Sequence, residues 1–200
     1  MPNNHRLPLY LASTSVYRQS LLQKLTTEFT AIRPDTDETP LPGETASALV
    51  QRLAEAKAQA VAATLTSGLV IGSDQVAVFD NTIIGKPHTI AKAHAQLSAF
   101  SGQAVTFFTG LSLINIATGN TQTLFDPFTV HFRQLTQAEI SAYIAREQPL
   151  NCAGSFKSEG LGISLFSKFE GEDPNSLIGL PLIKLLQLLR NEGVNLLLTP

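Results

Sequence analysis

Apolar residues recur along this chain with two different periods, and the switches between them delimit its elements. Leu7-Pro8-Leu9-Tyr10-Leu11 is a short apolar run that reads as a buried strand. Ser13-Thr14-Ser15 closes it with hydroxyl side chains suited to capping a helix, and Leu21, Leu22 and Leu25 follow at helical spacing. The chain therefore opens as strand, Ser-rich turn, helix. Glu28 to Arg33 is a second short strand candidate, followed by the polar loop Pro34-Asp35-Thr36-Asp37-Glu38-Thr39-Pro40. A helix is predicted from about Thr45 to Ala63, with Leu49, Leu53 and Ala60 among its apolar positions.

Leu69 to Phe79 is the strongest strand signal, apolar and β-branched on both faces. Ile83-Ile84 resumes an extended segment before Gly85-Lys86-Pro87, and Thr89 to Phe100 has helical character. Val105 to Ile116 and Thr121 to Phe132 are β-rich runs joined by Thr118-Gly119-Asn120, which predicts a hairpin. A helix capped by Thr136 is expected up to Arg146. The Gly-rich stretch from Asn151 to Glu172 is irregular, with a strand expected near Gly162 to Phe166. The last helix is expected to begin at Pro181 and to stop before Gly193. Strands and helices alternate early and a hairpin follows, so the pattern predicts an α/β fold with a mixed sheet. No repeat, low-complexity tract or Pro/Ser linker divides the chain, and a single domain over residues 1–200 is expected.

Composition narrows the classes. Of 200 residues, 44% are hydrophobic, which supplies a sizeable core, and only 15% are charged, leaving the surface to Ser, Thr, Gln and Asn. The formal net charge of −2 includes no basic block, which argues against a nucleic-acid polymer as partner. Cys152 is the single cysteine, so neither an intrachain disulfide nor a cysteine-cluster zinc site can form. The run from Leu7 to Ala12 is too short to span a membrane. The apolar stretch Leu177 to Leu189 is interrupted by Pro181, Lys184 and Gln187, so a soluble, cytoplasmic protein is expected.

Several positions break the apolar pattern in ways that chemistry can use. Backbone N–H groups of the Ser13-Thr14-Ser15 turn suit a phosphate, and Arg18 in the following turn can point at the same anion; a well-capped helix with a solvated arginine explains the same residues. Asp74 shares a strand face with Val70, Gly72, Val76 and Val78, where an unpaired carboxylate would cost several kcal/mol. It must be paired, protonated, metal-bound or engaged with a neighbouring loop. Lys57 continues the Leu49–Leu53 stripe, so it either snorkels at the core edge or reaches into a cleft. Gly85-Lys86-Pro87 offers close backbone approach and a point charge. Glu38 lies in an acidic loop that has the composition of an ordinary solvated turn. No dinucleotide-binding glycine pattern, P-loop or nucleophile elbow is present, and the histidines lack zinc-ligand spacing.

Taken in order, these segments resemble one family. Leu11-Ala12-Ser13-Thr14-Ser15-Val16-Tyr17-Arg18, Asp37-Glu38, Ala56-Lys57-Ala58, Gly72-Ser73-Asp74-Gln75 and Gly85-Lys86-Pro87 are similar to the motifs of the Maf family of nucleoside-triphosphate pyrophosphatases. Cys152 to Gly160, Asp173-Pro174-Asn175 and Gly179-Leu180-Pro181-Leu182 agree as well, so the likeness runs nearly end to end. The resemblance implies a Maf/ITPase-like α/β fold: an elongated mixed sheet flanked by helices, with two lobes around a cleft. It also implies hydrolysis between the α- and β-phosphates, giving a nucleoside monophosphate and pyrophosphate with Mg²⁺ or Mn²⁺ as cofactor. By that likeness Glu38 and Asp74 hold the metal, and Asp74 takes the proton of the attacking water. Arg18, Lys57 and Lys86 neutralise the polyphosphate and Ser13 positions it. Dimers are frequent in the family.

Within the family the chain is most similar to the 7-methyl-GTP pyrophosphatase branch. Many relatives carry Arg, Thr and Gln where Tyr17, Gln75 and Glu159 stand; the branch typically has Pro at the Val16 position and often Trp at the Tyr17 position. N7-methylation makes guanine a cation, which favours an aromatic face such as that of Tyr17 by about 0.5–2 kcal/mol. The N1–H and exocyclic N2 amine of guanine are donors, which the acceptor-only carboxylate of Glu159 complements, with Gln75 left for a remaining polar edge. Two other functions stay open at this level: a pyrophosphatase of ordinary pyrimidine triphosphates (UTP, CTP, dTTP), and a nucleotide-responsive regulator of cell division.

Overall fold

A computed structural model describes residues 7–198. Its centre is β3 (Leu69–Phe79), the most apolar strand of the sequence, and every other strand of the sheet is placed relative to it. One edge of β3 pairs along its length with β5 (Ala104–Asn115), antiparallel, from Leu69 opposite Asn115 to Val78 opposite Thr106. The other edge is shared. Leu69–Ile71 pair in parallel with β1 (Leu9–Leu11), while Ala77–Phe79 pair antiparallel with β4 (Thr82–Ile84). Between those partners lies Asp74. The sheet continues outward from β1 to β2 (Thr30–Ala31), and from β5 to β6 (Thr121–Phe132) and β7 (Phe166–Gly171). β5 and β6 form the expected hairpin.

Hydroxyl residues cap four helices, two of them, at Ser15 and Thr136, where caps were expected. Ser15, Thr45, Thr89 and Thr136 cap α1 (Val16–Leu22), α2 (Ala46–Ala62), α3 (Ile90–Phe100) and α4 (Gln137–Glu147); at α4 Glu139 returns a bond to the Thr136 backbone and completes a capping box. A short helix, α5 (Pro174–Ile178), was not anticipated. Asp173 caps it, accepting from the Asn175 N–H at 2.8 Å, with Pro174 in its first turn. The last helix, α6 (Leu182–Asn191), starts one residue later than expected, Pro181 being its cap position.

The strand expected near Gly162 to Phe166 is not formed there. Leu161–Leu165 is a 3-10 turn and the strand starts only at Phe166. The Gly162 N–H donates to the Lys157 carbonyl at 3.1 Å, and a Cβ at 162 would lie 2.2 Å from that oxygen. The chain thus folds back on itself before it can extend.

Two glycines set how closely α2 lies on the sheet. A Cβ at Gly72 of β3 would come 2.0 Å from the Ala54 carbonyl, and one at Gly110 of β5 would come 2.0 Å from that of Val50. Bare backbone at both positions lets α2 press directly against the strands and bury its Leu49–Leu53–Lys57 stripe. Hydrophobic packing flanks this contact on either side. An aromatic cluster with Phe100, Phe107, Phe132 and Phe156 joins α3 and α4 to β5 and β6, while a leucine cluster with Leu11, Leu22, Leu111 and Leu185 joins α1 and α6 to β1, β3 and β5. Among the described residues no helix is long and apolar enough to cross a membrane.

Candidate active site

Asp74 points from β3 towards α2, and Lys57 points from α2 to meet it. The Lys57 ammonium lies 2.6 Å from Asp74 Oδ1 and 2.7 Å from Glu38 Oε1. Lys57 is 6% exposed and Asp74 8%, whereas the Glu38 side chain is 60% exposed. The lysine on the apolar stripe therefore reaches inward and joins the carboxylate of an inner strand to that of an outer loop. Each charge finds opposite charge at contact distance, as burial requires.

The Glu38 loop is anchored to the same helix. Arg52 on α2 grips Glu44 through Nε at 2.6 Å and Nη2 at 2.8 Å, and Nη2 also donates to the Thr39 carbonyl at 3.1 Å. This two-pronged bond, with the Leu41 N–H, holds the Glu44 carboxyl down to about 2 from its ordinary 4.5.

Lys57, Asp74 and Glu38 line a cavity of about 860 Å³. The remaining expected residues reach it from other elements. Ser13 and Arg18 come from the first turn, Tyr17 from the start of α1, Gln75 from β3, Lys86 from the loop after β4, and Glu159 from the Gly-rich segment. Ser13 is buried and accepts the Ser15 N–H at 3.1 Å. Arg18 Nε donates to the Gly179 carbonyl at 2.8 Å, which fixes its guanidinium near Asp74 and Glu38. Burial lowers its pKa and the two carboxylates oppose that shift, so it stays a cation.

Tyr17 and Glu159 face the mouth of the cavity, both exposed. The Tyr17 pKa is raised first by burial, then by the neighbouring Cys152 and the Glu159 carboxylate. Burial likewise pushes the Cys152 thiol up, away from the reactive thiolate.

Gln75 departs from expectation. Successive strand residues face opposite sides, so its side chain leaves Asp74 behind and turns to α5. Its amide nitrogen donates to Thr109 Oγ1 at 2.9 Å, the Ser176 carbonyl at 2.7 Å and the Leu177 carbonyl at 3.2 Å. That nitrogen supports the back of the site, while Gln75 also lines the cavity.

Sequence reasoning did not identify the machinery behind Arg18. Ser73 Oγ donates to the Gly179 carbonyl at 3.0 Å, on the oxygen that also holds Arg18. Ser176 of α5 bonds Asp126, a carboxylate 1% exposed on β6, whose other oxygen lies 2.6 Å from the Lys184 ammonium of α6. A buried carboxylate, paired with a half-buried lysine, thus pins the helix that presents Gly179. Lone charges in apolar runs, Asp126 in β6 and Lys184 in α6, were the available signal. Arg33 is a further cation lining the cavity.

The donor set suits a hard divalent cation in one particular way. Among the described residues no group of three or more His, Cys, Asp or Glu side chains could hold a metal, so no all-protein cage exists. What the chain offers is two carboxylates drawn together by one ammonium. Mg²⁺ is commonly bound by one or two carboxylates plus substrate phosphates and water. Glu38 and Asp74 fit that mode.

Comparison with known proteins places the chain among relatives of one family. The sequence pattern of the Maf family, described as Maf-like protein, matches residues 8–192. A Vibrio cholerae protein named 7-methyl-GTP pyrophosphatase is 60% identical over 189 residues, covering 94% of this chain and 97% of its own. Proteins of the same name from Pseudoalteromonas translucida and Vibrio vulnificus are each 57% identical, covering 96% and 94% of this chain and 95% and 97% of their own. Among solved structures, the Staphylococcus aureus Ham1 protein superposes with a TM-score of 0.52 over 94% of this chain and all of its own; at 14% identity the likeness is one of fold.

Proposed function

The chain belongs to the Maf family, and from that premise we propose that it is a 7-methyl-GTP pyrophosphatase, hydrolysing its substrate to 7-methyl-GMP and pyrophosphate and so clearing a modified nucleotide from the cytoplasmic pool. The observation that carries this reading is the convergence of Glu38, Lys57 and Asp74, each 2.6–2.7 Å from its neighbour, in a cavity that Arg18 and Lys86 also line.

The division of labour follows from charge and position. Arg18 and Lys86 hold the polyphosphate, and Ser13 with the neighbouring turn orients it. A water placed against Asp74 loses its proton to that carboxylate as its oxygen bonds to phosphorus; the α–β anhydride bond breaks and pyrophosphate departs with the electron pair. Lys57 holds Asp74 in place for that step. Glu38 and Asp74 would hold a divalent cation, which would supply stabilisation of the developing oxygen charge. Fixed cations in a recess contribute in the same sense without reorganising.

At the other end, Tyr17 offers its ring to the cationic base and Glu159 accepts from the guanine N1–H and N2 amine. Gln75 braces α5, and the Gly179 carbonyl at the end of that helix holds Arg18. The purified protein incubated with 7-methyl-GTP and Mg²⁺ tests the reading. 7-Methyl-GMP and pyrophosphate in equal amounts are expected, and stepwise release of single phosphates would overturn it. In competition with GTP, UTP, CTP and dTTP at equal concentration, 7-methyl-GTP is consumed first; preference for a pyrimidine would refute the roles given to Tyr17 and Glu159.

A further inference from the structure

The loop that carries Lys86 buries Pro87 and leaves the residues on either side of it open. A Cβ at Gly85 would meet nothing within 4 Å, and Lys86 and His88 are exposed, with His88 at a φ of 58°. Two hydrogen bonds tie the loop to the rest of the chain, among the described residues. The His88 N–H donates to the Leu150 carbonyl at 2.9 Å, and the Gly85 carbonyl accepts from Gln96 Nε2 of α3 at 3.1 Å. Both lead to the same place, because Gln96 Oε1 accepts from the Ser155 hydroxyl.

That second link is well defined. A carbonyl only accepts, so the amide nitrogen of Gln96 must face Gly85, which leaves its oxygen for Ser155. Ser155 is fully buried and sits at a φ of 61°, directly after Gly154 at 73°. A serine persists in that left-handed region where its surroundings hold it. The turn it closes, Ala153–Ser155, lies between Cys152 and Glu159, which line the cavity with Tyr17.

We propose that Gln96 is a positioning residue that locks the Lys86 loop to the Cys152–Glu159 segment, so that the walls holding the phosphates and the base keep a fixed separation. Gln96 itself touches neither end of the nucleotide. One amide group, donating to one loop and accepting from the other, sets how far Lys86 stands from Tyr17 and Glu159. The inference rests on the roles given to those residues under the proposed function.

Two variants separate its halves. Gln96→Ala removes both bonds, whereas Gln96→Glu keeps an acceptor for Ser155 and sets a carboxylate against the Gly85 carbonyl. Hydrogen exchange on the unliganded protein is expected to quicken in residues 85–88 and 153–160 for Gln96→Ala, and in 85–88 alone for Gln96→Glu, with β3 and β5 unchanged. Loss of one hydrogen bond between uncharged groups corresponds to roughly three- to tenfold in kcat/KM for 7-methyl-GTP. The ratio of 7-methyl-GTP to GTP turnover falls with it, which a general loss of stability would not produce. Unchanged exchange in both loops of Gln96→Ala, or an equal fall on both nucleotides, would overturn the proposal. The exchange measurement needs no nucleotide, so a wild-type protein inert towards 7-methyl-GTP would refute the functional reading and still leave the role of Gln96 to be decided.

Discussion

Replacing Lys57 with methionine keeps the buried aliphatic stem and deletes the charge. In the native structure that ammonium lies 2.6 Å from Asp74 Oδ1, and the Asp74 side chain is 11% exposed. Truncating one member of a buried pair costs about 3–5 kcal/mol, mostly from the charge left behind. Asp74 opens on to the cavity, where water partly replaces the lost partner, so about 3 kcal/mol is expected. For a chain of this size each kcal/mol moves the midpoint by about 2–4 °C, which predicts a fall in Tm of about 6–12 °C. The decisive comparison is a double-mutant cycle with Asp74→Asn, read by urea unfolding. Asn carries no charge to strand, so Lys57→Met in that background is expected to cost about 2 kcal/mol less than it does alone. Turnover of 7-methyl-GTP falls by about 10² or more in Lys57→Met, because Asp74 is no longer held for the attacking water. Equal costs of Lys57→Met in the two backgrounds would refute the view that Lys57 exists to hold Asp74.

Other outcomes follow from the same coordinates. Tyr17→Leu removes the aromatic face and lowers the preference for 7-methyl-GTP over GTP by roughly two- to thirtyfold, measured as a ratio of kcat/KM. Chelation with EDTA abolishes turnover, and added Mg²⁺ or Mn²⁺ restores it in wild type but poorly in Glu38→Gln. The Glu44 carboxyl, followed by ¹³C NMR, titrates at about 2, and Arg52→Ala returns it towards 4.5. Because the folded pKa is the lower one, the stability this contact gives is complete above 4.5 and is lost as pH falls from there towards 2. Asp126→Ala leaves the buried Ser176 hydroxyl without its acceptor, so urea unfolding shows a loss of about 1–3 kcal/mol.

Residues that contradict their local pattern were legible in the sequence. Lys57 on an apolar stripe and Asp74 in an apolar strand advertised themselves by position, and both proved to face inward and to meet. β3, α2 and the β5–β6 hairpin were legible because each is long enough to show its period. α5, at five residues, is too short to show one, and its importance lies in presenting a carbonyl to Arg18. Leu161–Leu165 has the composition of a strand, and only the return of the Gly162 N–H to Lys157 turns it aside. Partnership was the other blind spot. Asp126 and Lys184 are each a lone charge in an apolar run, yet nothing local says that they meet. Gln75 shows the same limit from the opposite side: its neighbour's role was legible, while the face it turns to α5 depends on packing far along the chain.

The close seating of α2 on Gly72 and Gly110 has a consequence for anyone who maps this enzyme by saturation mutagenesis. Neither glycine has any group that could touch a nucleotide, yet a single methyl at either would push the helix outward and carry the Lys57 amine away from both of its acids. Scored by lost turnover alone, both positions would be indistinguishable from the acids and bases themselves. Telling scaffold from chemistry here requires a separate readout of folded protein, and the two glycines are the built-in controls for it.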